Sequence, residues 1–139
     1  MRFVDSNILI YALLKSQREL TSEVRAIKSS AQNILARVEK GEKVITSVVH
    51  LSEFVNVLER HISARQQRAT LESILSNKNI EIVSVTRESY DLAIELARNS
   101  ELGINDALAV VIMQQREVSE IYSFDKDYDL VSGVIRLTK

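Results

Sequence analysis

Hydrophobic positions alternate along the chain between short apolar runs and longer stretches with helical spacing. The run RFV near the N-terminus predicts a strand, and NILIYALL follows it with residues that favour a helix. Between residues 23 and 40, apolar side chains recur every three or four positions before Gly41, which predicts a helix ending at this glycine. KVITS then predicts a second strand, and VVHLSEFVNVLERHI predicts another helix.

The second half of the chain repeats this alternation. We expect a helix over residues 64–76, a strand at IEIVSV and a helix with Thr86 as its N-cap. INDALAVVIMQQR predicts a helix, EIYSF a strand, and VIRLT a final strand after the turn-like DKDYDLVSG. Short strands separated by helices are typical of a parallel sheet with helices on both faces. The pattern therefore predicts an α/β fold.

Composition indicates one globular unit. The chain has 139 residues, of which 45% are hydrophobic and 27% charged, so it fits a single domain over residues 1–139 and not a disordered or coiled-coil class. It contains no apolar run long enough to cross a membrane, and Asp5 interrupts any signal-peptide core. We therefore expect a cytoplasmic protein with no membrane partner.

Cysteine content and net charge exclude several kinds of reactive and metal-binding site. The absence of cysteine excludes disulfides, thiolate metal sites and cysteine nucleophiles, and two histidines leave little for zinc, so oxygen would have to hold any metal. The formal charge of -1 gives no general attraction to nucleic acid. Arg60, Arg65, Arg68 and Lys126 are the candidate phosphate contacts, although a solvated charge is the simpler interpretation of each.

Four acidic residues lie directly after predicted strands or in the first turns of predicted helices. Asp5 ends the first strand, Asp125 follows EIYSF, Asp106 begins the helix after Gly103, and Glu53 lies one to two turns into the helix after KVITS. Functional side chains of parallel sheets gather beyond the carboxyl ends of the strands. We therefore expect these carboxylates to meet in one site.

Helix capping is the alternative role for Asp5 and Asp106. Asp106, however, shares one helical row with Ala109, Val110 and Met113, whereas a simple cap would not need an apolar row. Both roles stay open for these two acids at this point.

Glu53 has its own alternative, which is to reach solvent or pair with Arg60. Its neighbours four residues away on either side are Val49 and Val57, and an unpaired carboxylate buried in such a row is costly. An ordinary acidic loop is the alternative for Asp125, but its place directly after a strand favours the site. The distribution of these acids therefore favours function over surface charge.

Clustered carboxylates repel one another and raise each other's pKa values unless a cation neutralises them. Oxygen-only ligands suit Mg²⁺ or Mn²⁺, which commonly bridge carboxylates and substrate phosphate. Such ions lower the pKa of bound water and stabilise a leaving oxygen, so the reaction needs no protein nucleophile. The predicted chemistry is phosphoryl transfer.

Four segments, VDSNILIY, ITSVVHLSEFVNVL, INDALAVV and SFDKDY, resemble the ordered acidic motifs of PIN-domain nucleases, in particular VapC-type toxin ribonucleases. The resemblance spans nearly the whole chain. It implies a three-layer α/β/α sandwich around a mainly parallel sheet. It also implies a metal-dependent endoribonuclease that cleaves single-stranded RNA.

The resemblance also assigns roles to individual residues. It implies that the catalytic residues and ligands of Mg²⁺ or Mn²⁺ are Asp5, Glu53, Asp106 and Asp125. It implies supporting or outer positions at Asn7, Ser123 and Asp127. Thr46 and Ser47 are weaker supporting candidates, for which helix capping is the simpler role.

The family resemblance further implies an RNA substrate, homodimers, and inhibition by a protein antitoxin that covers or enters the acidic groove. Two alternatives stay open: a PIN-like nuclease of RNA maturation, and a catalytically degenerate PIN-like binding module. A response-regulator receiver is disfavoured because IEIVSVT ends without the acceptor aspartate that such a domain needs.

Overall fold

The computed structural model describes residues 1–16 and 18–139. Its five strands are β1 (Arg2–Val4), β2 (Val44–Ser47), β3 (Ile80–Val83), β4 (Glu120–Tyr122) and β5 (Ile135–Leu137). Its helices are α1 (Ser6–Leu13), α2 (Ser22–Glu39), α3 (Val48–Glu59), α4 (Ala64–Ser76), α5 (Arg87–Arg98) and α6 (Ile104–Gln115), followed by a 3-10 helix over Lys126–Leu130. This order confirms the predicted alternation of strands and helices.

The strands form one parallel sheet in the order β3-β2-β1-β4-β5. Successive side chains of a strand point to opposite faces, so Phe3 and Ile121 enter the core beneath α5 and α6. Val4 and Tyr122, their neighbours in sequence, enter the other core beneath α1, α2, α3 and α4. The chain is therefore a three-layer α/β/α sandwich, as predicted.

Local sequence explains where several helices begin and end. Thr86 is the N-cap of α5, as predicted, and its hydroxyl accepts a hydrogen bond from the Ser89 backbone N–H at 3.3 Å. Gly41 follows the end of α2 with φ of +118°, a conformation that glycine adopts without a steric penalty. In α6, every residue from Ala107 to Met113 is buried, which makes this helix the apolar support beneath one face of the sheet.

The strand order reverses direction beside β1, because β2 and β3 lie on one side of it and β4 and β5 on the other. Such a switch point opens a crevice at the carboxyl ends of the two central strands. Asp5 and Ser123 directly follow β1 and β4, so both lie at this crevice. Among the described residues, none of the helices combines the length and apolar character that a bilayer crossing requires.

Candidate metal centre

Asp5 occupies the centre of the crevice and is 3% exposed. Its carboxylate accepts hydrogen bonds from Ser123 Oγ at 2.6 Å and Asn7 Nδ2 at 2.7 Å. Although Asp5 precedes α1, its side chain makes no capping hydrogen bond to that helix. The capping alternative for Asp5 is therefore wrong, and neighbouring side chains hold the carboxylate at the end of the sheet.

Ser123 and Asn7 connect the segments that follow β1 and β4. Ser123 is fully buried, and its hydroxyl oxygen accepts hydrogen bonds from Asn7 Nδ2 at 3.1 Å and the Asp125 backbone N–H at 3.0 Å. Asn7 Oδ1 in turn accepts from the Phe124 backbone N–H at 3.3 Å. These bonds fix the orientation of Asp5 from two sides, which is how polar partners commonly orient a metal-binding carboxylate.

Glu53 reaches the same crevice from α3. Its carboxylate accepts hydrogen bonds from Ser6 Oγ at 2.9 Å and Asn105 Nδ2 at 2.7 Å, so it connects α3 with the starts of α1 and α6. Of the ion pairs formed by residues 1–16 and 18–139, none includes Glu53. The alternative in which Glu53 pairs with Arg60 is therefore wrong.

Asp106 lies at the third position of α6, whose start carries no side-chain capping bond. Tyr128 donates its hydroxyl proton to Asp106 Oδ1 at 3.1 Å. A Cβ atom at position 103 would lie 3.2 Å from Asp106 Oδ2, so Gly103 leaves the space that this carboxylate occupies. Burial and the charge of Asp5 are the main causes that raise the pKa of Asp106 to about 6.

Asp125 joins the group from the segment after β4. Its Oδ1 accepts a hydrogen bond from the Asp127 backbone N–H at 2.9 Å, which caps the 3-10 helix, and its charge contributes to the raised pKa of Asp106. The side chain of Asp127 is exposed and, within the described part of the chain, makes no hydrogen bond or ion pair. The structure therefore brings Asp125 towards the other acids but leaves Asp127 at the edge.

The other polar candidates have structural partners. Thr46 Oγ1 donates to the Val4 carbonyl oxygen at 2.9 Å, which links β2 to β1 and is not a capping bond. Ser47 is the N-cap of α3, as expected, and accepts from the His50 backbone N–H at 3.3 Å. Arg60 lines a groove of about 550 Å³ together with Lys28 and lies outside the acidic crevice.

Burial, with repulsion between neighbouring acids added to it, opposes ionisation of the acids in the crevice. Burial raises the pKa of Asp5 despite the hydrogen bonds it accepts, and burial together with the charges of Asp5 and Asp106 raises the pKa of Tyr128. Among the described residues, no lysine or arginine forms an ion pair with Asp5, Glu53, Asp106 or Asp125. A bound cation would relieve the repulsion between clustered carboxylates of this kind.

His50 is the functional candidate that the sequence analysis missed. It is 1% exposed, its ring packs edge-on against Phe3 with 5.0 Å between centroids, and its Nδ1 lies 2.7 Å from Ser47 Oγ. One ring nitrogen lies within 4.8 Å of carboxylate oxygens of Asp5 and Glu53. The expectation that only oxygen could hold a metal is therefore incomplete, because this cluster also offers nitrogen.

A sequence signal for His50 did exist. It lies three residues before Glu53 in the same helix, and residues at this spacing share a face. Burial lowers the pKa of His50, while the charges of Glu53 and Asp106 oppose that shift. Ser6, Asn105 and Tyr128 were also missed, although each lies within three residues of a predicted acid.

Comparison with known proteins identifies the family. A family model described as "PIN domain" matches residues 2–134. The chain belongs to the PIN domain family. Ribonuclease VapC13 of Mycobacterium tuberculosis is 25% identical to this PIN domain over 141 residues, which cover 99% of both proteins.

Solved structures share the fold of this PIN domain. VapC20 of Mycobacterium tuberculosis, described as a sarcin–ricin loop cleaving toxin, has a TM-score of 0.73 and 25% identity, with 95% of each chain covered. VapBC2 of Rickettsia felis, solved with a DNA fragment from its promoter, has a TM-score of 0.68 and 18% identity, covering 98% of this chain and 96% of the other. The second likeness shows the fold alone.

The residues of this PIN domain fit a divalent cation. Carboxylate oxygens are the donors that Mg²⁺ and Mn²⁺ prefer, and imidazole nitrogen is compatible with the softer divalent ions. The ring of His50 lies beside the acids, and its buried Nε2 has no hydrogen-bond partner among the described residues. The crevice thus offers both the negative charge and the free ligand atoms that a cation needs.

Proposed function

We propose that this PIN domain is a metal-dependent endoribonuclease that hydrolyses RNA phosphodiester bonds. The observation that carries this proposal is the convergence of Asp5, Glu53, Asp106 and Asp125 on one crevice without a paired cationic side chain. The ribonuclease name of VapC13 supports RNA as the substrate class. We assign the catalytic and metal-binding roles to these four acids.

Asp5 and Glu53 would hold Mg²⁺ or Mn²⁺, with Asp106 and Asp125 completing the negative site. A divalent cation bound there supplies Lewis-acid chemistry, because it promotes ionisation of water and neutralises charge that develops on the phosphate. The chain itself contributes positioning: Asn7 and Ser123 orient Asp5, and Tyr128 orients Asp106. Asp127 is proposed only as an outer residue near Asp125.

The test is cleavage of an RNA panel by purified protein with Mn²⁺, with Mg²⁺ and with excess chelator. Asp106→Asn keeps an acceptor for the Tyr128 hydroxyl but removes one negative charge from the site. We expect cleavage to stop in chelator and to fall at least about 10²–10³-fold in Asp106→Asn, as for loss of one group that stabilises transition-state charge.

The matched control is Asp91→Asn, which changes an exposed acid on α5 in the same way. It should cleave at the wild-type rate. Cleavage that survives both chelator and Asp106→Asn in rigorously purified protein would contradict the proposal, and absence of cleavage under every condition would favour a degenerate binding module.

We further propose that the protein acts as the toxin of a VapBC-type pair, with a protein antitoxin as its partner. The description of VapC20 as a toxin supports this role. Induced expression should arrest growth, while Asp106→Asn should not, and a small protein encoded beside the toxin should relieve the arrest. Growth unaffected by the active enzyme would favour the RNA-maturation alternative; the homodimer stays a prediction.

A further inference from the structure

The two ring nitrogens of His50 differ: Nδ1 has a hydrogen-bond partner, and Nε2 has none among the described residues. Nδ1 lies 2.7 Å from Ser47 Oγ, and the same oxygen accepts the His50 backbone N–H at 3.3 Å. Nε2 is buried and has no hydrogen-bond partner in the described part of the chain. With the Nδ1 proton donated to Ser47, Nε2 carries a free lone pair.

The ring of His50 lies beside the acids. A ring nitrogen of His50 and one oxygen from each of Asp5 and Glu53 lie within 4.8 Å of one another. Ligands about 2.1 Å from a shared ion lie about 3 Å apart at right angles and about 4.2 Å apart across it. The three side chains are therefore close to the spacing of a common coordination shell.

The contact of the other ring nitrogen, Nδ1, with Ser47 also fits a metal-binding histidine. Metal-binding histidines usually present one nitrogen to the ion while the other donates a proton to a neighbouring acceptor. In the tautomer that carries the ring proton on Nδ1, Ser47 Oγ is that acceptor, and the edge-on contact with Phe3 fixes the plane of the ring. The Asn105 backbone carbonyl also favours the protonated ring, but it does not meet Nε2 in hydrogen-bond geometry.

We propose that His50 Nε2 is a direct ligand of the cation held by Asp5 and Glu53, so that the site has mixed nitrogen and oxygen donors and prefers Mn²⁺ to Mg²⁺. This inference rests on the proposed function in one respect, which is that the acids bind a divalent cation. The preference follows because imidazole suits transition metals, whereas Mg²⁺ favours oxygen.

The experiment is pulsed electron paramagnetic resonance of the Mn²⁺-loaded full chain, which detects nitrogen bonded to the ion. The chain has two histidines, so labelling histidine with ¹⁵N marks only His50 and His61. We expect a ¹⁴N coupling that changes to a ¹⁵N coupling on labelling. This isotope change distinguishes imidazole from the amide nitrogens of Asn7 and Asn105.

Variants assign the coupling to one histidine. His50→Asn can keep the contact with Ser47 but lacks an atom at the Nε2 position, so the coupling should vanish and the Mn²⁺ dissociation constant should rise about 10–100-fold. Mg²⁺ affinity should change less. The matched control is His61→Asn, because His61 is exposed and its Nδ1 contacts the Val57 carbonyl oxygen at 2.8 Å. It should leave both readouts unchanged.

Each outcome is decisive. Mn²⁺ bound without a histidine coupling would overturn the role of His50 while leaving the carboxylate site and the proposed function intact. Failure of the wild-type protein to bind Mn²⁺ would overturn both. If His50→Asn does not fold, as judged by circular dichroism, His50→Phe fills the ring space without a nitrogen, and the isotope experiment on the wild-type chain needs no variant.

Discussion

Charged side chains meet at both ends of the parallel sheet, but with opposite arrangements. At the amino ends of the strands, Arg2 contacts Glu42 at 2.8 Å and Glu120 at 2.9 Å, and Arg37 contacts Glu42 at 3.1 Å. At the carboxyl ends, Asp5, Glu53, Asp106 and Asp125 converge, and none of them forms an ion pair within the described part of the chain. One end balances its charges within the chain and the other does not.

The pKa values of the carboxyl groups at the two ends shift in opposite directions. Burial opposes ionisation of Glu42, but hydrogen bonds from Tyr122, Arg2 and Arg37 outweigh it and lower the pKa of its carboxyl below the usual value. At the other end, burial and neighbouring acids raise the pKa of Asp106 to about 6. The amino end is therefore organised for stability, whereas the carboxyl end keeps a repulsion that a bound cation would relieve.

The largest stability effect is expected at the balanced end. Glu42→Ala removes the common partner of Arg2, Arg37 and the Tyr122 hydroxyl, whose bond to Glu42 is 2.7 Å long. We expect a loss of about 2 kcal/mol in the free energy of unfolding, because charged hydrogen bonds are lost together, and a fall of about 6 °C in melting temperature. Chemical denaturation measures this; a loss below about 0.5 kcal/mol would contradict the contrast between the two ends.

A smaller effect of opposite sign is expected at the acidic end. The folded state raises the pKa of Asp106, so the stability this group contributes is present below about pH 4 and is lost as pH rises through about 6. Asp106→Asn removes the charge, so metal-free protein should gain up to about 1 kcal/mol at neutral pH, since solvent screens this half-exposed group. The gain should disappear near pH 4; an equal gain at both values would contradict the cause.

The smallest effect is expected at an exposed ion pair on α5. Glu95 and Arg98 lie 3.0 Å apart on α5, and each side chain is 67% exposed. Glu95→Ala should change the free energy of unfolding by less than about 0.5 kcal/mol, because water screens the pair. Comparison with Glu42→Ala separates the effect of a half-buried network from the effect of removing a charge alone.

The fold and several residues of the crevice could be predicted from the sequence, because both follow from the order of strands and helices along the chain. Strand and helix periods predict the layers, and Asp5 and Asp125 could be placed at one edge because each directly follows a strand. Asp106 and Glu53 were placed from their apolar helical rows, which the buried neighbours in α6 and α3 explain.

The remaining contacts depend on tertiary geometry that no local pattern encodes. In the sequence His50 is one of two histidines with no distinguishing pattern, and only packing against Phe3 and Ser47 places its ring beside the acids. Likewise Arg2, Glu42 and Tyr122 lie far apart in sequence, and each alone is indistinguishable from an ordinary residue. Pairing partners across the fold could not be predicted from the sequence.

The most direct test of a cation at the acidic end is the melting temperature of wild-type protein and Asp106→Asn, measured near neutral pH in chelator and at rising Mn²⁺. In chelator we expect the variant to melt higher, because one repulsive charge is gone. Free Mn²⁺ at a hundredfold excess over its dissociation constant stabilises the folded wild type by about 2.7 kcal/mol. The wild type should then melt at a higher temperature than Asp106→Asn. Melting temperatures that do not rise with Mn²⁺ in the wild type would contradict a cation-binding role for these carboxylates, and an unchanged order of the two proteins would contradict that role for Asp106.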